Sequence, residues 1–357
     1  MRIRIHRYHQ TVLLLIMAAV LLTACSSDSS ESQVISKGDA PIDHVVHLQS
    51  YAPGYMETAT TRSAPIGYSD YLLDKVTEMG IYVVLPEDYT APNVPAEQQI
   101  KYDGAKWHAY FSVDKDKTYA VYGYLPKLTG MNSTLTKTTA NEATLTITGM
   151  KPITTDDICI ITGVKESETG LKEGSFSWYQ AVTNDDYYIY MLLNHLYASV
   201  LFRMKINEDY AQLRTIKLKS MTLSTDKESV SAAISLTHNT TGAIPITDVD
   251  YTATGSSSSK VAIFSDEEGK ALDKTTPLTI NACFAPTLSS DLTLVSTYDV
   301  YDRKGNLIRE GCSATNKIPD LEASRGQRVQ LNLTVNPTYL YVLSDPDLDN
   351  PTVKVKK

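Results

Sequence analysis

The sequence predicts an all-β protein built from β-sandwiches, and three observations support this fold class. Several segments alternate apolar and polar side chains with a period of two, which is typical of a strand with one buried face. Turn signals such as Asp103-Gly104, Thr241-Gly242 and Lys304-Gly305 separate these short segments. Tyrosine outnumbers phenylalanine by 23 to 5, and tyrosine is favoured in half-buried strands.

The clearest strand pattern covers residues 329–335, in which every second side chain is apolar. Residues 145–148 and 216–219 show the same alternation over a shorter span. Residues 81–85 and 158–161 are continuously apolar, which favours central strands that are buried on both faces.

One segment predicts a helix. Apolar residues recur at helical spacing between residues 72 and 79. Ser69 or Asp70 is placed to cap this segment, and Gly80 is placed to end it. The full length of 357 residues suits two β-domains, because single cores stop growing near about 250–300 residues.

Residues 1–25 form a targeting segment that is set aside from the fold. Three arginines precede an apolar run of twelve residues, Thr11–Leu22, whereas a membrane-spanning helix needs about 20. The run ends in Leu22-Thr23-Ala24-Cys25, which resembles a bacterial lipobox. The resemblance implies lipidation of Cys25 and cleavage before it. The alternative is an ordinary secretory signal that contains a cysteine.

The charge balance argues against a nucleic-acid partner. Lys plus Arg is 33 and Asp plus Glu is 41, which gives a net charge of −8, and no basic cluster follows residue 7. Phosphate binding requires clustered basic residues. Removal of Arg2, Arg4 and Arg7 with the signal would leave 30 basic residues against 41 acidic ones, a net charge of −11.

No catalytic or metal-binding motif has the spacing its chemistry requires, so the sequence predicts no enzyme, no metal and no cofactor. His44 and His47 are three residues apart and fall on opposite faces of a strand, which disfavours a shared metal ion. Asp345–Asp349 resembles the start of a calcium loop, but Asn350 and Lys356 replace the glycine and glutamate that the loop needs.

The remaining candidates for chemistry are buried residues with a structural interpretation. His195 lies in an apolar segment without a nearby base or nucleophile in sequence, and we interpret it as a hydrogen-bonded core histidine. Cys283 and Cys312 are close enough along the chain to form a disulfide. The alternative is that Cys159, Cys283 and Cys312 are all buried free thiols.

Four segments, in order along the chain, carry a resemblance to a known family. They are Ala59–Ala64, Trp107–Tyr110 running into Lys117–Pro126, the histidine-containing Leu193–Phe202, and Leu331–Pro337 continued by Thr338–Val342. Together with the lipobox, they resemble the fimbrillin family, the major fimbrial subunit lipoproteins of type V pili.

The resemblance implies two tandem transthyretin-like Greek-key β-sandwich domains with little helix. The chain then divides into a signal peptide (residues 1–25), a tether with a removable first strand (26–62), an N-terminal sandwich (63–186) and a C-terminal sandwich (187–357). It also implies that subunits polymerise by exchanging strands. A sandwich that has lost one strand exposes unpaired backbone groups, and a strand of a neighbouring subunit can pair with them.

The candidate removable strand covers residues 42–48, and its apolar members would fill the groove. These members are Ile42, Val45, Val46 and Leu48.

Residues 51–61 are expected to form an exposed loop that leads to the processing site. Arg62 is the candidate cleavage site for an extracellular Arg-specific protease, and cleavage would leave Ser63 as the new N-terminus. Lys37 is a second candidate, but it precedes the removable strand and cleavage there would leave the groove filled. The alternative is that Arg62 is a plain loop arginine.

Two C-terminal segments are candidate donor strands. Tyr339, Tyr341 and Leu343 share one face of the first segment, and Val353 and Val355 share one face of the second. The alternative is that both segments pack into their own C-terminal sandwich.

The leading hypothesis is a structural pilin subunit of an adhesive fimbrium on the cell surface. The precursor would be an outer membrane lipoprotein held by the lipid on Cys25, and its partners would be other copies of itself and related pilin subunits. A stalk role is favoured over a tip or anchor role because both a leaving strand and a donor strand are available. The alternative is a glycan-binding surface lipoprotein that does not polymerise and uses Trp107, Trp178 or tyrosine clusters as sugar platforms.

Overall fold

The computed structural model describes residues 42–335, apart from 54–55, 58–67, 71–75, 77, 86–95, 103–106, 112–117, 140, 166–178, 181–186, 238–245, 289–291 and 319–322. These described residues form strands almost throughout, which confirms the all-β fold class. A short helix, α1 (Glu208–Ala211), and a 3-10 turn (Pro286–Leu288) are the helical elements among them. None of the helices in this part of the chain is long and apolar enough to cross a bilayer.

The strands are numbered in chain order. They are β1 (Ile42–Pro53), β2 (Met56–Glu57), β3 (Tyr68–Asp70), β4 (Glu78–Val84), β5 (Gln98–Tyr102), β6 (Trp107–Phe111), β7 (Thr118–Leu125), β8 (Asn132–Lys137), β9 (Glu142–Met150), β10 (Ile153–Thr154), β11 (Cys159–Lys165), β12 (Tyr179–Gln180), β13 (Tyr187–His195), β14 (Ala198–Ile206), β15 (Thr215–Thr225), β16 (Ser229–Thr237), β17 (Ile246–Thr254), β18 (Ser259–Ala271), β19 (Leu278–Phe284), β20 (Leu292–Tyr301), β21 (Leu307–Ile318) and β22 (Gln327–Val335).

The strands pair into four sheets. Sheet I has the order β11-β13-β1-β6-β5-β4-β7-β12, with β3 paired to β1. Because β11 also pairs with β7, the strands from β11 through β1 to β7 form a closed circuit. Sheet II has the order β17-β16-β9-β8, sheet III β10-β19-β14-β22-β2, and sheet IV β18-β15-β20-β21.

Sheets I and II pack together around one hydrophobic core. Tyr122 and Tyr124 of β7 contribute their rings from sheet I, while Leu145 and Ile147 of β9 and Ile234 of β16 contribute from sheet II. All five side chains are fully buried. The buried positions of β9 and β16 alternate along each strand, as the period-two pattern in the sequence predicts for β9.

Sheets III and IV enclose a second core. Val200 and Phe202 of β14 face Ile216, Leu218 and Leu223 of β15 within one cluster of buried side chains. The apolar residues of β22 pack against the same cluster, and the alternation predicted for residues 329–335 is confirmed by their burial pattern.

In sheet I, residues 79–84 of β4 are all buried, as expected of a central strand.

Strand pairing does not divide the chain between residues 186 and 187, where the sequence analysis places a domain boundary. The strand that follows this point, β13, pairs with β1 and β11 in sheet I. Farther along, β16 pairs with β9, so residues 229–254 complete sheet II. The two cores therefore draw on interleaved parts of the chain.

Most of the predicted helix lies outside the described residues, and the structure contradicts only its end. Ser69 and Asp70 lie in β3 and Met79 and Gly80 in β4, while residues 71–75 and 77 are outside the described part of the chain. Gly80 serves close packing rather than a helix end, because a Cβ atom there would lie 2.6 Å from Cε1 of Tyr124.

Candidate functional site

The predicted removable strand lies inside sheet I rather than at its edge. Residues Val46–Tyr51 of β1 pair in parallel with Tyr187–Leu192 of β13. On the other side, Ile42–Val46 pair with Trp107–Phe111 of β6 in antiparallel register. The strand therefore joins two segments that come from distant parts of the chain.

All the apolar residues assigned to this strand fall within β1, together with the two nearby histidines, which lie on a strand as predicted. These residues are Ile42, His44, Val45, Val46, His47 and Leu48. The strand continues beyond the prediction to Pro53, and its last residues pair with β3. The expectation of a loop over residues 51–61 is therefore wrong at its start, because strand pairing extends through Pro53.

A second short strand follows directly. In β2, Met56 and Glu57 pair in parallel with Gln327 and Arg328 of β22. Residues 42–57 thus supply a strand to sheet I and then a strand to sheet III. Sequence patterns alone do not reveal β2, because it has two residues and its partner lies about 270 residues away.

The other residues assigned to processing and assembly lie outside the described part of the chain. They are Cys25, Arg62, Ser63, Tyr339, Tyr341, Leu343, Val353 and Val355. Their assignments remain predictions.

A polar cluster that the sequence analysis did not identify lies at one end of β11 and β13. Asp157, Cys159 and His195 bring a carboxylate oxygen, a sulfur and a ring nitrogen within 4.8 Å of one another. His195 Nδ1 lies 2.5 Å from Asp157 Oδ2, and Cys159 Sγ lies 3.4 Å from the same oxygen. The distance between Cys159 Sγ and His195 Nδ1 is 3.9 Å.

Strand geometry brings these three side chains together. Cys159 and His195 are direct cross-strand partners in the antiparallel β11–β13 pair, so their side chains share one face of the sheet. Asp157 lies just before β11, and its Oδ2 atom reaches both Cys159 Sγ and His195 Nδ1. The Asp-x-Cys spacing is visible in the sequence. The register that adds His195 is not, because it depends on pairing across 36 residues.

The turn that follows His195 is fixed from several directions. The Arg325 guanidinium donates hydrogen bonds to Oδ1 of Asn194 at 3.1 Å and to the carbonyl of His195 at 3.4 Å. The backbone N–H of Leu196 donates to the carbonyl of Ile158 at 2.8 Å. These contacts hold the backbone on both sides of the cluster, so the ring of His195 has a set position.

His195 is a buried histidine with a carboxylate partner, which confirms its interpretation as a hydrogen-bonded core residue. It is 4% exposed. Burial raises the pKa of the Cys159 thiol well above its ordinary value, and the Asp157 carboxylate adds to this effect. Because the thiolate is the nucleophilic form, this arrangement does not activate Cys159 as a nucleophile.

The open question of a disulfide is answered by the structure. Within the described part of the chain, Cys159, Cys283 and Cys312 form no disulfide. Cys283 belongs to the core between sheets I and II, whereas Cys312 packs against the core between sheets III and IV.

No known family model matches the chain, and no curated protein matches it either. Similar solved structures include a Bacteroides uniformis protein assigned to cell adhesion, at 13% identity and a TM-score of 0.37, covering 84% of this chain and 95% of that chain. A second cell adhesion protein, from Bacteroides fragilis, has 12% identity and a TM-score of 0.39, with 82% and 94% covered. A fimbrial protein from Bacteroides vulgatus has 13% identity and a TM-score of 0.35, with 83% and 96% covered. TM-scores below 0.4 do not by themselves establish a common fold.

Proposed function

We propose that this chain is a structural pilin subunit that assembles into an adhesive fimbrium by exchanging a β-strand between subunits. The observation that carries the proposal is the position of β1, which pairs with β13 on one side and with β6 on the other. The chain is exported as a lipoprotein precursor with a lipid on Cys25. An extracellular Arg-specific protease cleaves after Arg62, and a strand of a neighbouring subunit replaces β1.

Loss of β1 would open the closed circuit of sheet I. The backbone groups of Val46–Tyr51 pair with those of Tyr187–Leu192, and those of Ile42–Val46 pair with Trp107–Phe111. Removal of the strand leaves two facing edges with unpaired N–H and C=O groups. Such edges bind an added strand through main-chain hydrogen bonds, which is the physical basis of strand exchange.

Cleavage after Arg62 would release more than β1. Both β1 and β2 precede Arg62, so the cut separates both strands from the rest of the chain. The released fragment would leave a vacant place beside β22 in sheet III as well as the gap in sheet I. We therefore propose that one proteolytic event changes both sheets.

The donor strand comes from residues 339–357 of the neighbouring subunit in this proposal. Tyr339, Tyr341 and Leu343 offer three large side chains on one face, whereas Val353 and Val355 offer two smaller ones. The first set buries more apolar surface and is the preferred donor. A stalk role follows, because each subunit both loses a strand and supplies one.

Four buried tyrosines are excluded as sugar platforms in the glycan-binding alternative, while Trp178 and the side chain of Trp107 lie outside the described part of the chain. Tyr82, Tyr122, Tyr124 and Tyr197 have almost no exposed surface, so these rings belong to the core and cannot stack on a sugar. The fimbrial and cell adhesion names of the similar solved structures agree with the pilin proposal but do not carry it. The role we propose is structural and adhesive, without catalysis.

The experiment that tests the proposal compares two substitutions of one residue. Arg62→Ala removes the site for any protease that cuts after basic residues, while Arg62→Lys keeps a site for trypsin but not for an Arg-specific enzyme. Each variant and the parent chain are treated with trypsin or with an Arg-specific protease. The products are identified by N-terminal sequencing, and polymers are viewed by electron microscopy.

The parent chain should give a Ser63 terminus and polymers with either protease. Arg62→Lys should give them with trypsin but not with the Arg-specific protease. Arg62→Ala should give them with neither protease. Lys37→Ala serves as the matched control and should polymerise like the parent chain. The proposal would be contradicted if Arg62→Ala formed polymers. It would also be contradicted if the parent chain were cleaved after Arg62 and stayed monomeric in the presence of its related subunits.

A further inference from the structure

The cluster of Asp157, Cys159 and His195 has the composition of a transition-metal site. Thiolate, imidazole and carboxylate are the three ligand types that proteins use for zinc. A hard ion such as Ca²⁺ or Mg²⁺ prefers six or more oxygen ligands, which this sulfur- and nitrogen-containing set does not offer. The donor chemistry thus selects a borderline-soft divalent ion.

The two distances from the Cys159 sulfur to the other donor atoms are close to those that zinc requires. Ligands held about 2.0–2.3 Å from a tetrahedral ion lie roughly 3.3–3.7 Å from one another. Cys159 Sγ is 3.4 Å from Asp157 Oδ2 and 3.9 Å from His195 Nδ1. The Nδ1–Oδ2 distance of 2.5 Å is that of two atoms sharing a proton, and it must widen when an ion takes the proton's place.

The backbone that carries these ligands is set by two strands and their pairing. Cys159 opens β11 and His195 ends β13, and the two are paired in register. On the far side of His195, the Arg325 guanidinium binds the backbone carbonyl rather than the ring. Zinc ligands need this support, because contacts around the ligands orient them toward the ion.

We propose that Asp157, Cys159 and His195 bind one Zn²⁺ ion, which fastens the first residue of β11 to the last residue of β13. The fourth position is taken by water. The ion reaches the site from solvent on the side of Asp157, because the Asp157 side chain is 15% exposed and that of His195 is 5% exposed. This proposal does not depend on the pilin function, because it concerns the uncleaved monomer.

Binding requires two rearrangements of protons that balance chemically. The Cys159 thiol releases its proton to solvent and coordinates as a thiolate. The neutral ring of His195 gives up to solvent the Nδ1 proton that lies between Nδ1 and Asp157 Oδ2, and takes up one proton from solvent on Nε2. Nδ1 then presents its lone pair to the ion, and the ring exchanges no net proton. The two charges of Zn²⁺ are then matched by the Asp157 carboxylate and the Cys159 thiolate, which leaves the site neutral.

The test uses the full uncleaved chain with Zn²⁺ alone or Co²⁺ alone as the probe. Titration calorimetry with Zn²⁺ gives the stoichiometry and affinity. The absorption of the Co²⁺ complex reports whether a thiolate is bound, through its sulfur-to-cobalt charge-transfer band. We expect one ion per chain, a thiolate band, and a thermal unfolding midpoint that rises with Zn²⁺.

The variants are Cys159→Ser and Asp157→Asn, with Cys312→Ser as the matched control, because Cys312 is a free thiol outside the cluster. Loss of one ligand should weaken Zn²⁺ binding by more than about 100-fold, the upper range seen for supporting residues. Cys312→Ser should bind like the parent chain.

Absence of the thiolate band in the parent chain would overturn the proposal, and this result does not depend on any variant folding. Zn²⁺ binding that survives both Cys159→Ser and Asp157→Asn with unchanged affinity would also overturn it. Because polymer formation is not measured, failure here leaves the strand-exchange proposal standing, and the reverse also holds.

Discussion

At the scale of single residues, Glu97 is a buried carboxylate that several elements share. It accepts hydrogen bonds from Lys127 Nζ and Ser133 Oγ, and from Tyr124 Oη at 3.3 Å. Its side chain is 12% exposed, and that of Lys127 is 20% exposed. Burial, and then the charge of Glu97, raises the pKa of Tyr124 above its ordinary value. The carboxylate therefore ties the residue before β5 to β7 and β8.

Glu97→Ala should destabilise the fold by about 1.5–3 kcal/mol, the range for hydrogen bonds that involve a charged group. The substitution leaves the Lys127 ammonium largely buried without this carboxylate. Denaturant unfolding of the parent chain and the variant measures the change. The matched control is Glu78→Ala, whose partner Lys101 is 3.4 Å away and 60% exposed. An exposed pair contributes only about 0–1 kcal/mol, so equal losses in the two variants would contradict this account.

The Asp273 carboxylate stabilises one turn in a way that depends on pH. Its carboxylate accepts hydrogen bonds from Thr275 Oγ1, Thr275 N and Thr276 N, at 2.6, 2.6 and 2.7 Å. The Thr275 hydroxyl, followed by the two backbone N–H groups, lowers the pKa of Asp273 to about 2. Because the folded pKa is depressed, this contribution to stability is present above the ordinary pKa near 4 and is lost as the pH falls toward 2.

Thr275→Val should raise the pKa of Asp273 toward its ordinary value, because it removes the largest of these contributions. Titration of the carboxyl carbon by NMR in the parent chain and the variant measures both midpoints. A parent midpoint near the ordinary value, or a midpoint that does not move in the variant, would show that the turn does not hold the carboxylate as described.

Some of these single-residue roles can be predicted from the sequence, and others cannot. The sequence shows Asp157 two residues before Cys159, but Asp157 lies outside β11, so strand periodicity does not place the two side chains together. The arrival of His195 beside them requires the β11–β13 register, and the role of Gly80 requires the Tyr124 ring of β7. Both depend on pairing between distant strands, which local periodicity does not encode.

At the scale of elements, regular alternation identifies a strand, whereas helical spacing misplaces the end of the predicted helix. The period-two pattern of residues 329–335 predicts β22, whose apolar side faces the second core. The segment before Gly80 has helical spacing, yet its end forms β4 because Met79 and Gly80 pair with Ile100 and Gln99 of β5. Tertiary pairing outweighs a short local pattern.

The two candidate donor segments can be separated by substituting each in turn. Serine at Tyr339, Tyr341 and Leu343 should abolish polymers after cleavage, because it removes the apolar side chains that would enter the groove. Serine at Val353 and Val355 is the matched change in the second segment and should reduce polymer length less. Electron microscopy after trypsin treatment measures both. Polymers that survive the first set and vanish with the second would reverse the assignment.

At the scale of the whole molecule, the sheets use segments that are far apart in the sequence. Sheet I combines β1 with β13, and sheet II combines β9 with β16. Their composition could not be predicted, because sequence periodicity identifies strands without identifying their partners. In the proposed exchange, β13 would keep β11 as a partner and β6 would keep β5 when β1 leaves.

In the proposed strand exchange, β1 leaves sheet I and a strand of another subunit takes its place. Hydrogen–deuterium exchange can follow the amides of β6 and β13 in the precursor, in the subunit cleaved after Arg62, and in the polymer. We expect protection in the precursor, loss of protection after cleavage, and renewed protection in polymers that lack residues 42–62. Polymers that retain those residues, or edges that stay protected by β1 throughout, would contradict it.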